Sequence, residues 1–532
     1  MDIPKYDYLW KYIEHWASVE PDFTFIEFKE KKYTAQQLKE TIEHLSEAFI
    51  SLGVKKGDTI VTILPMSIEF TLIHLAANSV GAICVPMDVR FRPADFRRFI
   101  PHVEPKLVFL IGKERGYNIA KTFKKLSSDF DLKIKYYNIG NEEFGTPFDD
   151  LLKKDYNLKS LMEKTRYKLE PDDGALIIFT GGTTGVPKAA LLSHRNIAYG
   201  SYYIATNLNK RLESLGIKEK IKSHQNFPPS HIGGVIGISG TAFAGKWEMI
   251  MEEQWKPTSV LRKIQEFKLR MAGGVSTMII ILLNHPDFNR FDLSSIKFVI
   301  NSSEKISMEL LKNIQERICS NILNAYGSTE IGPQITITDI GDSLEEIADG
   351  YIGKLLPDHE IKIIDENDNE LPSGEVGEMC FKGPLIIKEY YKMPEENKAT
   401  FMKGGWCRSG DLGYITEDGR IYFVGRKKFI IRVGSYTVLP TEIEEVVIQH
   451  PKVAMAAAVG FPDKIYNEVV WLAIIPERGQ LIDEQEIIDF CKKELADFKV
   501  PKKVIIRKKL PITRLAKIDR PSLQKQLKDH YG

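Results

Sequence analysis

Strand and helix signals alternate along the N-terminal part of this chain of 532 residues. Thr59 to Leu64, Ala82 to Pro86 and Leu107 to Ile111 are short apolar runs that predict buried strands. Between the first two, Ser67 to Val80 has the pattern of an amphipathic helix. Because strand, helix and strand in this order are joined by a crossover, the pattern predicts a mostly parallel sheet with helices on both faces.

The chain is long enough to form more than one domain, since single cores rarely grow beyond ~250–300 residues. Met271 to Leu283 and Lys297 to Ile300 continue the alternating pattern. Beyond about residue 350, Gly and Pro separate short alternating strands such as Ile361 to Ile364, which predicts a small β-rich subdomain. After Gly425-Arg426, further helix and strand signals, beginning with a helix at Pro440 to His450, predict a separate α+β domain of about a hundred residues.

Composition narrows the class of protein. The chain has 73 Lys and Arg against 72 Asp and Glu, so nothing indicates a nucleic-acid partner or an anionic-membrane surface. Its five cysteines form no paired or metal-like cluster, which fits a reducing compartment. The N-terminus lacks the pattern of a signal peptide, and no apolar run reaches the ~20 residues of a membrane span. We therefore expect a cytoplasmic protein with no nucleic-acid partner and no integral membrane segment.

A loop rich in glycine and threonine, FTGGTTGVPK at residues 179–188, follows the apolar run Ala175 to Ile178. Glycines let backbone N–H groups approach an anion, and the hydroxyls and lysine add donors and charge. A Walker loop would read G-x-x-x-x-G-K-[ST] and lead into a helix, whereas here Val186-Pro187 separates the last glycine from Lys188. The loop predicts a polyphosphate site of another kind; taken alone, it could equally be a turn between two strands.

Four further motifs follow in order: YGSTE at 326–330, SGD at 409–411, GRKK at 425–428 and PITRLAKI at 511–518. Together with the loop, they resemble the signature series of the adenylate-forming superfamily of acyl-CoA synthetases, peptide-synthetase adenylation domains and beetle luciferases. The resemblance runs from about Tyr33 to Leu523 and is greatest to the AMP-forming acyl-CoA synthetases. It implies an α/β protein with a large N-terminal domain of parallel sheets, helices and a β-rich subdomain, and a small mobile α+β C-terminal domain. The implied domains are 1–427, which binds ATP and acid, and 428–532, which rotates and carries the catalytic lysine.

The resemblance implies a nucleotide site built from these motifs. The loop would wrap the β- and γ-phosphates, Tyr326 would lie against adenine, and Asp411 would accept the ribose hydroxyls. Glu330 and Thr184 would hold Mg²⁺, a hard cation that suits one carboxylate plus phosphate oxygens. The implied ATP-binding residues are Thr180, Gly181, Gly182, Thr183, Thr184, Gly185, Lys188, Glu304, Asn324, Ala325, Tyr326, Gly327, Ser328, Asp411 and Arg426. For Asp411 and Arg426, a structural ion pair is the alternative reading.

Three residues are expected to act on the reacting groups. Lys517 would bridge the substrate carboxylate and the α-phosphate, because an ammonium on a flexible stem can follow charge as it shifts. Thr329 would contact the α-phosphate, and His231, in a segment rich in Pro and Gly, would face the acid's carboxylate. The resemblance further implies a hinge at Lys428 and a coenzyme A tunnel lined by Gly434 and Ser435.

The chain departs from the family's usual residues at several positions. Glycine replaces serine at Gly181, alanine replaces glycine at Ala516, and Ser435 stands where a glycine is most regular. Ser302 and Ser303 lie where many members have small glycines, although Glu304 agrees with the acetyl-, medium-chain and aryl-CoA synthetases.

The sequence therefore predicts an AMP-forming acyl-CoA synthetase that activates a fatty or aromatic monocarboxylic acid with Mg-ATP and transfers the acyl group to coenzyme A. An acyl-AMP ligase that loads a carrier protein is the first alternative. A nucleotide-binding sensor that has lost turnover is the second, and the departures from the family's usual residues favour it: Gly181, Ser302, Ser303, Ser435 and Ala516. Retention of Lys517, Glu330 and Asp411 favours an enzyme.

Overall fold

The computed structural model describes most of the chain. The described residues are 3–114, 116–130, 133–140, 144–180, 187–302, 305–434, 436–463, 465–513 and 517–531. The α-helices are α1 (Leu9–Val19), α2 (Ala35–Ser51), α3 (Ile68–Ser79), α4 (Pro93–Val103), α5 (Ile119–Leu126), α6 (Asp149–Lys153), α7 (Lys159–Tyr167), α8 (His194–Ser214), α9 (Thr241–Gly245), α10 (Pro257–Phe267), α11 (Ser276–Leu283), α12 (Met308–Arg317), α13 (Leu344–Asp349), α14 (Pro394–Thr400), α15 (Pro440–Ile448), α16 (Glu484–Glu494) and α17 (Arg520–Tyr531). A π-helix spans Gly233–Gly240, and 3₁₀ turns span Phe288–Arg290, Lys427–Phe429 and Asp497–Lys499.

The strands are β1 (Thr24–Phe28), β2 (Lys31–Thr34), β3 (Thr59–Ile63), β4 (Ile83–Pro86), β5 (Leu107–Ile111), β6 (Lys113–Glu114), β7 (Tyr117–Asn118), β8 (Lys135–Ile139), β9 (Thr146–Pro147), β10 (Gly174–Thr180), β11 (Lys188–Ser193), β12 (Lys222–Gln225), β13 (Glu248–Met251), β14 (Met271–Gly274), β15 (Phe298–Ser302), β16 (Ile322–Ser328), β17 (Gly332–Ile337), β18 (Lys354–Leu355), β19 (Glu360–Ile364), β20 (Gly377–Lys382), β21 (Glu389–Tyr390), β22 (Phe401–Met402), β23 (Trp406–Ile415), β24 (Ile421–Arg426), β25 (Ile431–Val433), β26 (Tyr436–Val438), β27 (Val453–Asp463), β28 (Asn467–Pro476) and β29 (Lys503–Ile506).

The largest sheet is mostly parallel, as the alternating pattern predicts. Its order is β21-β11-β10-β4-β3-β5-β8-β9, and the strands from β10 to β9 run parallel to one another. At the other end, β11 is antiparallel to both β10 and β21. The segments Met271 to Leu283 and Lys297 to Ile300 belong to a second sheet, of order β14-β15-β16-β17-β18, in which β14, β15 and β16 are parallel.

The helix between β3 and β4 is present, but its predicted amphipathic character is wrong. Every residue of α3 except Glu69 is buried, because α1 and α2 pack over the helix. The Ser67 hydroxyl caps its first turn by accepting the N–H of Phe70. A helix covered on both sides loses the polar stripe that a surface helix needs.

The β-rich subdomain and the C-terminal domain each have a sheet and a core of their own. In the subdomain, β19, β20, β23, β22 and β24 form an antiparallel sheet. The C-terminal sheet has the order β26-β25-β28-β27, with β29 parallel to β28. Alternate residues of β28 pack toward α15 and α16 on one face and toward α17 on the other, which gives an α+β domain.

None of the helices in the described part of the chain is both long and apolar enough to cross a lipid bilayer.

Candidate active site

A cavity of about 740 Å³ lies where the C-terminal domain faces the N-terminal domain. Residues predicted to act on ATP or the acid, together with the predicted hinge residue Lys428, line it from both sides. From the N-terminal side they are Thr180, His231, Gly327, Ser328, Thr329, Glu330 and Arg426, and from the C-terminal side Lys428 and Lys517. Motifs as far apart in the chain as residues 180 and 517 therefore line the same cavity.

The predicted phosphate loop joins two antiparallel strands. Thr180, at the end of β10, pairs with Lys188, at the start of β11. A strand follows the loop where a Walker loop would be followed by a helix, in agreement with the spacing of Lys188. Several predicted site residues lie outside the described residues: Gly181, Gly182, Thr183, Thr184, Gly185, Glu304 and Ser435.

The Glu330 carboxylate is held by three hydroxyl groups. Oε1 accepts hydrogen bonds from Thr180 Oγ1 at 3.3 Å and from Tyr390 Oη at 3.1 Å. Oε2 accepts one from Ser328 Oγ at 2.9 Å. These three donors fix the orientation of the Glu330 carboxylate beside the end of β10.

Tyr390 is a site residue that the sequence analysis missed. It lies on β21, which pairs with β11, and its ring also lies 4.7 Å from the Lys188 ammonium. Burial, together with the negative charge of Glu330, raises the pKa of the Tyr390 phenol, which keeps the phenol a donor. No local motif marks this tyrosine, because its role depends on strand pairing between residues about two hundred positions apart in the chain.

The central strand β16 lines a smaller cavity with Asn324, Ala325, Tyr326 and Gly327. The Asn324 side chain accepts a hydrogen bond from Asn301 at 3.0 Å and donates one to the Tyr351 carbonyl at 3.3 Å. A Cβ at Gly327 would lie 2.3 Å from the Gly332 carbonyl oxygen, so only glycine fits there. The strand is therefore fixed from both sides.

Asp411 is buried, with 1% of its surface exposed, and has two partners. Tyr326 Oη donates to Oδ2 at 2.6 Å, and Arg426 Nε lies 2.9 Å from Oδ1. Burial raises the pKa of Asp411, while Arg426, Tyr326 and Lys517 lower it. The structure thus contains the ion pair considered as an alternative, and Arg426 also lines the large cavity.

His231 is held in one tautomer by the backbone. The N–H of Gly233 donates to Nδ1 at 3.1 Å, so the ring proton of the neutral imidazole lies on Nε2. Burial, reinforced by the positive charge of Lys517, lowers the pKa of His231 to about 3. At neutral pH the ring is therefore an uncharged hydrogen-bond donor at the cavity wall.

Lys517 reaches the cavity from a closed turn of the C-terminal domain. The Thr513 N–H donates to the Lys517 carbonyl at 2.6 Å, and the Lys517 N–H donates to Thr513 Oγ1 at 3.2 Å. Isolated pairing of Ile512 with Ile518 closes the turn further. Lys517 lines the same cavity as His231, and its positive charge lowers the pKa values of His231 and Asp411.

The predicted hinge and tunnel residues differ in position. Lys428 lines the cavity, lies in the 3₁₀ turn Lys427–Phe429, and has its pKa lowered by burial. Gly434 has a φ of +61°, donates its N–H to the Tyr466 carbonyl, and is not among the residues that line the cavity. In this arrangement of the domains, Gly434 therefore lies away from the large cavity.

These features define a class of protein: an adenylate-forming enzyme fold, with a mixed α/β N-terminal domain, a β subdomain and a small C-terminal domain. Comparison with models of known protein families supports this classification. The model of the AMP-binding enzyme family matches residues 13–391, and that of the AMP-binding enzyme C-terminal domain matches residues 442–517. Because the first match alone spans more than half of the chain, the chain belongs to the AMP-binding enzyme family.

Curated relatives match along almost the whole chain. A putative acyl-CoA synthetase, YngI, of Bacillus subtilis is 27% identical over 97% of this chain and 96% of its own length. A long-chain-fatty-acid–CoA ligase of the same organism is 28% identical, with coverage of 96% and 93%. An oxalate–CoA ligase of Arabidopsis thaliana is 28% identical, with coverage of 92% of each chain.

Solved structures share the fold. ATP-bound MatB from Rhodopseudomonas palustris is 23% identical and superposes with a TM-score of 0.81, covering 98% of this chain and all of its own. The o-succinylbenzoate CoA synthetase of Bacillus subtilis, in complex with its acyl-adenylate intermediate, is also 23% identical, with a TM-score of 0.80 and coverage of 98% and 99%. At this identity the likeness supports the fold.

Proposed function

We propose that this chain is an AMP-forming acyl-CoA ligase that activates a fatty or aromatic monocarboxylic acid. The observation that supports this most directly is the single cavity lined by Thr329, Glu330, Arg426, His231 and Lys517. A carboxylate that attacks the α-phosphate of ATP needs its own charge and the phosphate charge neutralised in one enclosed place. Cations and hydroxyl donors from both domains meet that need here.

The two groups nearest the acid would have different tasks. His231, neutral with its proton on Nε2, would donate a hydrogen bond to one carboxylate oxygen and orient the other toward phosphorus. Lys517 would follow the negative charge as it moves from the carboxylate to the α-phosphate oxygens. Because His231 is neutral, it would orient the carboxylate by a hydrogen bond and leave the neutralisation of its negative charge to Lys517.

The tail of the acid is expected to be uncharged. Around His231 the cavity wall is apolar, with Phe227, Pro228 and Ile232. The charged pair on this wall, Asp88 and Arg90, is already joined by hydrogen bonds at 2.8 and 2.9 Å. The relatives' names include long-chain fatty acid, oxalate and 4-coumarate, so they support ligation of an acid to coenzyme A without selecting one acid.

The residues at Glu330 fit a magnesium ion that accompanies ATP. Among the described residues no three His, Cys, Asp or Glu side chains cluster as a ready-made metal site. Mg²⁺ is commonly held by one or two carboxylates together with substrate phosphates, and Glu330, oriented by Thr180 and Tyr390, supplies such a carboxylate. When bound, the ion would neutralise phosphate charge. Hydroxyl donors on Glu330 would keep its carboxylate aimed at the polyphosphate end of the site.

The thiol step would require the C-terminal domain to move. Lys517 lies at the cavity and Gly434 does not, an arrangement suited to adenylation. Rotation about Lys428 would withdraw Lys517 and bring the loop at Gly434 to the acyl-adenylate, where coenzyme A would displace AMP. The proposed domain boundary between residues 427 and 428 falls inside the 3₁₀ turn that links the two sheets.

The test is to measure pyrophosphate, AMP and thioester with Mg-ATP and short, long and aromatic acids, with and without coenzyme A. Turnover that requires coenzyme A and one class of acid is the expected result, and it names the substrate. A single round of pyrophosphate release that stalls in the presence of coenzyme A would replace this proposal with a carrier-protein ligase. ATP binding without pyrophosphate release from any acid would contradict an active ligase.

A further inference from the structure

Two adjacent glutamates on helix α15 of the C-terminal domain have partners in different domains. Glu444 is buried and serves its own domain: Oε1 accepts the N–H of Ala458 at 2.7 Å, and Arg520 Nη2 donates to Oε2 at 2.6 Å. Glu445 Oε1 instead lies 2.7 Å from Lys305 Nζ, in the N-terminal domain. The first contact stabilises the C-terminal fold, whereas the second connects the two domains.

Lys305, the N-terminal partner of this ion pair, lies at the predicted nucleotide site. It lines both the large cavity and the smaller cavity beside Tyr326 and Asn324, and only 18% of its side chain is exposed. Glu445 lines neither cavity, and burial raises the pKa of its carboxyl. Separating the pair without water to replace it would leave two partly enclosed charges uncompensated.

We infer that Lys305 and Glu445 are a positioning pair that holds the C-terminal domain, and with it Lys517, over the nucleotide during adenylation. The inference rests on the proposed function. Neither residue need touch the reacting atoms. Their contact stabilises the domain arrangement in which Lys517 lines the same cavity as His231 and Thr329. It has to break before the domain can rotate for the thiol step.

The test uses Lys305→Met and Glu445→Gln in the full-length protein. Each is expected to lower kcat for acid-dependent ATP–pyrophosphate exchange about two- to fivefold, the range typical of a partly exposed ion pair. Glu445→Gln should leave KM for ATP unchanged, since Glu445 does not line the cavity. Thioester formation from supplied acyl-adenylate should be undiminished or faster, because rotation no longer has to break the pair. A purely structural defect would slow both reactions.

The charge-swapped double variant, Lys305→Glu with Glu445→Lys, should recover part of the exchange activity that Lys305→Glu alone removes. Glu366→Gln is the matched control. Glu366 also pairs across the domains, with Arg432 at 3.5 Å, but its side chain is 82% exposed and lines neither cavity. This control should behave like the unaltered protein.

A second readout does not depend on activity. The linker contains trypsin sites at Lys427 and Lys428, so its cleavage rate in the presence of Mg-ATP reports opening of the domains. Faster cleavage in both single variants supports the inference. An increase in KM for ATP in Lys305→Met, with Glu445→Gln silent in both assays, would make Lys305 a nucleotide contact only and overturn it. If the unaltered protein shows no exchange with any acid, that result would count against the proposed function instead. The cleavage rates would still test whether Lys305 and Glu445 hold the two domains together.

Discussion

At the scale of single residues, the turn closed by Thr513 and Lys517 decides where the ammonium of Lys517 can reach. Hydrogen bonds from the Thr513 N–H to the Lys517 carbonyl and from the Lys517 N–H to Thr513 Oγ1 hold the backbone at Lys517. Lys517 lines the same cavity as His231. A cation that follows the developing charge acts in the transition state more than in the ground state.

Lys517→Ala is therefore expected to lower the rate of acyl-adenylate formation by about a hundred- to a thousandfold, the usual effect of losing one such donor. Thioester formation from supplied acyl-adenylate should remain largely intact. Both half-reactions can be followed separately by pyrophosphate release and by thioester product. Equal losses in the two assays would remove the role given to Lys517.

Tyr390 provides a second prediction at this scale. Tyr390→Phe removes one hydroxyl donor from the Glu330 carboxylate and keeps the ring against Lys188. The half-saturating Mg²⁺ concentration for pyrophosphate release should rise by about three- to tenfold, as expected for loss of a hydrogen bond with a typical net contribution of about 0.5–1.5 kcal/mol. Tyr391→Phe, which alters the adjacent ring, serves as the control; an unchanged Mg²⁺ dependence in Tyr390→Phe would argue against this orienting role.

Sequence motifs predict residues that act within a short stretch and miss those that act through tertiary pairing. Thr329 and Glu330 are adjacent in one motif, and both line the cavity. Tyr390 and the contact of Lys305 with Glu445 depend on strand order and domain packing. The hydroxyl donors or the ammonium partner of a carboxylate can come from anywhere in the chain. Local residue spacing therefore does not predict them.

At the scale of elements, apolar runs and turn residues predict boundaries well where the runs are short and clearly interrupted. The predicted helix Pro440 to His450 is α15, Pro440–Ile448, and the strand Ile361 to Ile364 is extended by one residue in β19. Helix α3 shows the limit of such patterns. Its period identifies a helix, whereas its complete burial depends on α1 and α2, which only the assembled domain brings over it.

The short turn Lys427–Phe429 is the element on which rotation would depend. Proline fixes φ and restricts the residue before it, so Lys428→Pro should hold the turn in one conformation. Thioester formation is expected to fall by at least about tenfold, with adenylation much less affected. Lys428→Ala, which removes the same side chain and leaves φ free, is the control. A greater loss of adenylation than of the thiol step in Lys428→Pro would rule out Lys428 as the pivot.

At the scale of the whole molecule, histidines that desolvation keeps neutral make stability depend on pH. Burial lowers the pKa of His74 to about 3, of His194 to about 4 and of His231 to about 3. The unfolded chain would bind protons at these positions below the ordinary pKa of about 6.5, whereas the folded protein would not. The free energy of unfolding should therefore be highest above pH 6.5 and fall toward pH 4, by up to about 1.4 kcal/mol per histidine per pH unit.

His74→Phe isolates one of these contributions. The His74 ring is stacked on Phe70, with centroids 5.8 Å apart, so phenylalanine keeps a ring in the same place without a titrating group. The urea midpoint, measured from pH 4 to 7 by tryptophan fluorescence, should depend less steeply on pH in this variant. An identical slope in the variant and the unaltered protein would show that His74 does not contribute.

Isotope transfer shows whether the acid is joined to AMP before any thiol arrives. An acid that is a substrate, labelled with ¹⁸O in its carboxylate, is turned over with unlabelled Mg-ATP and coenzyme A, and the products are analysed by mass spectrometry. We expect AMP that carries one carboxylate oxygen in its phosphate. Unlabelled AMP, or ADP in its place, would contradict it.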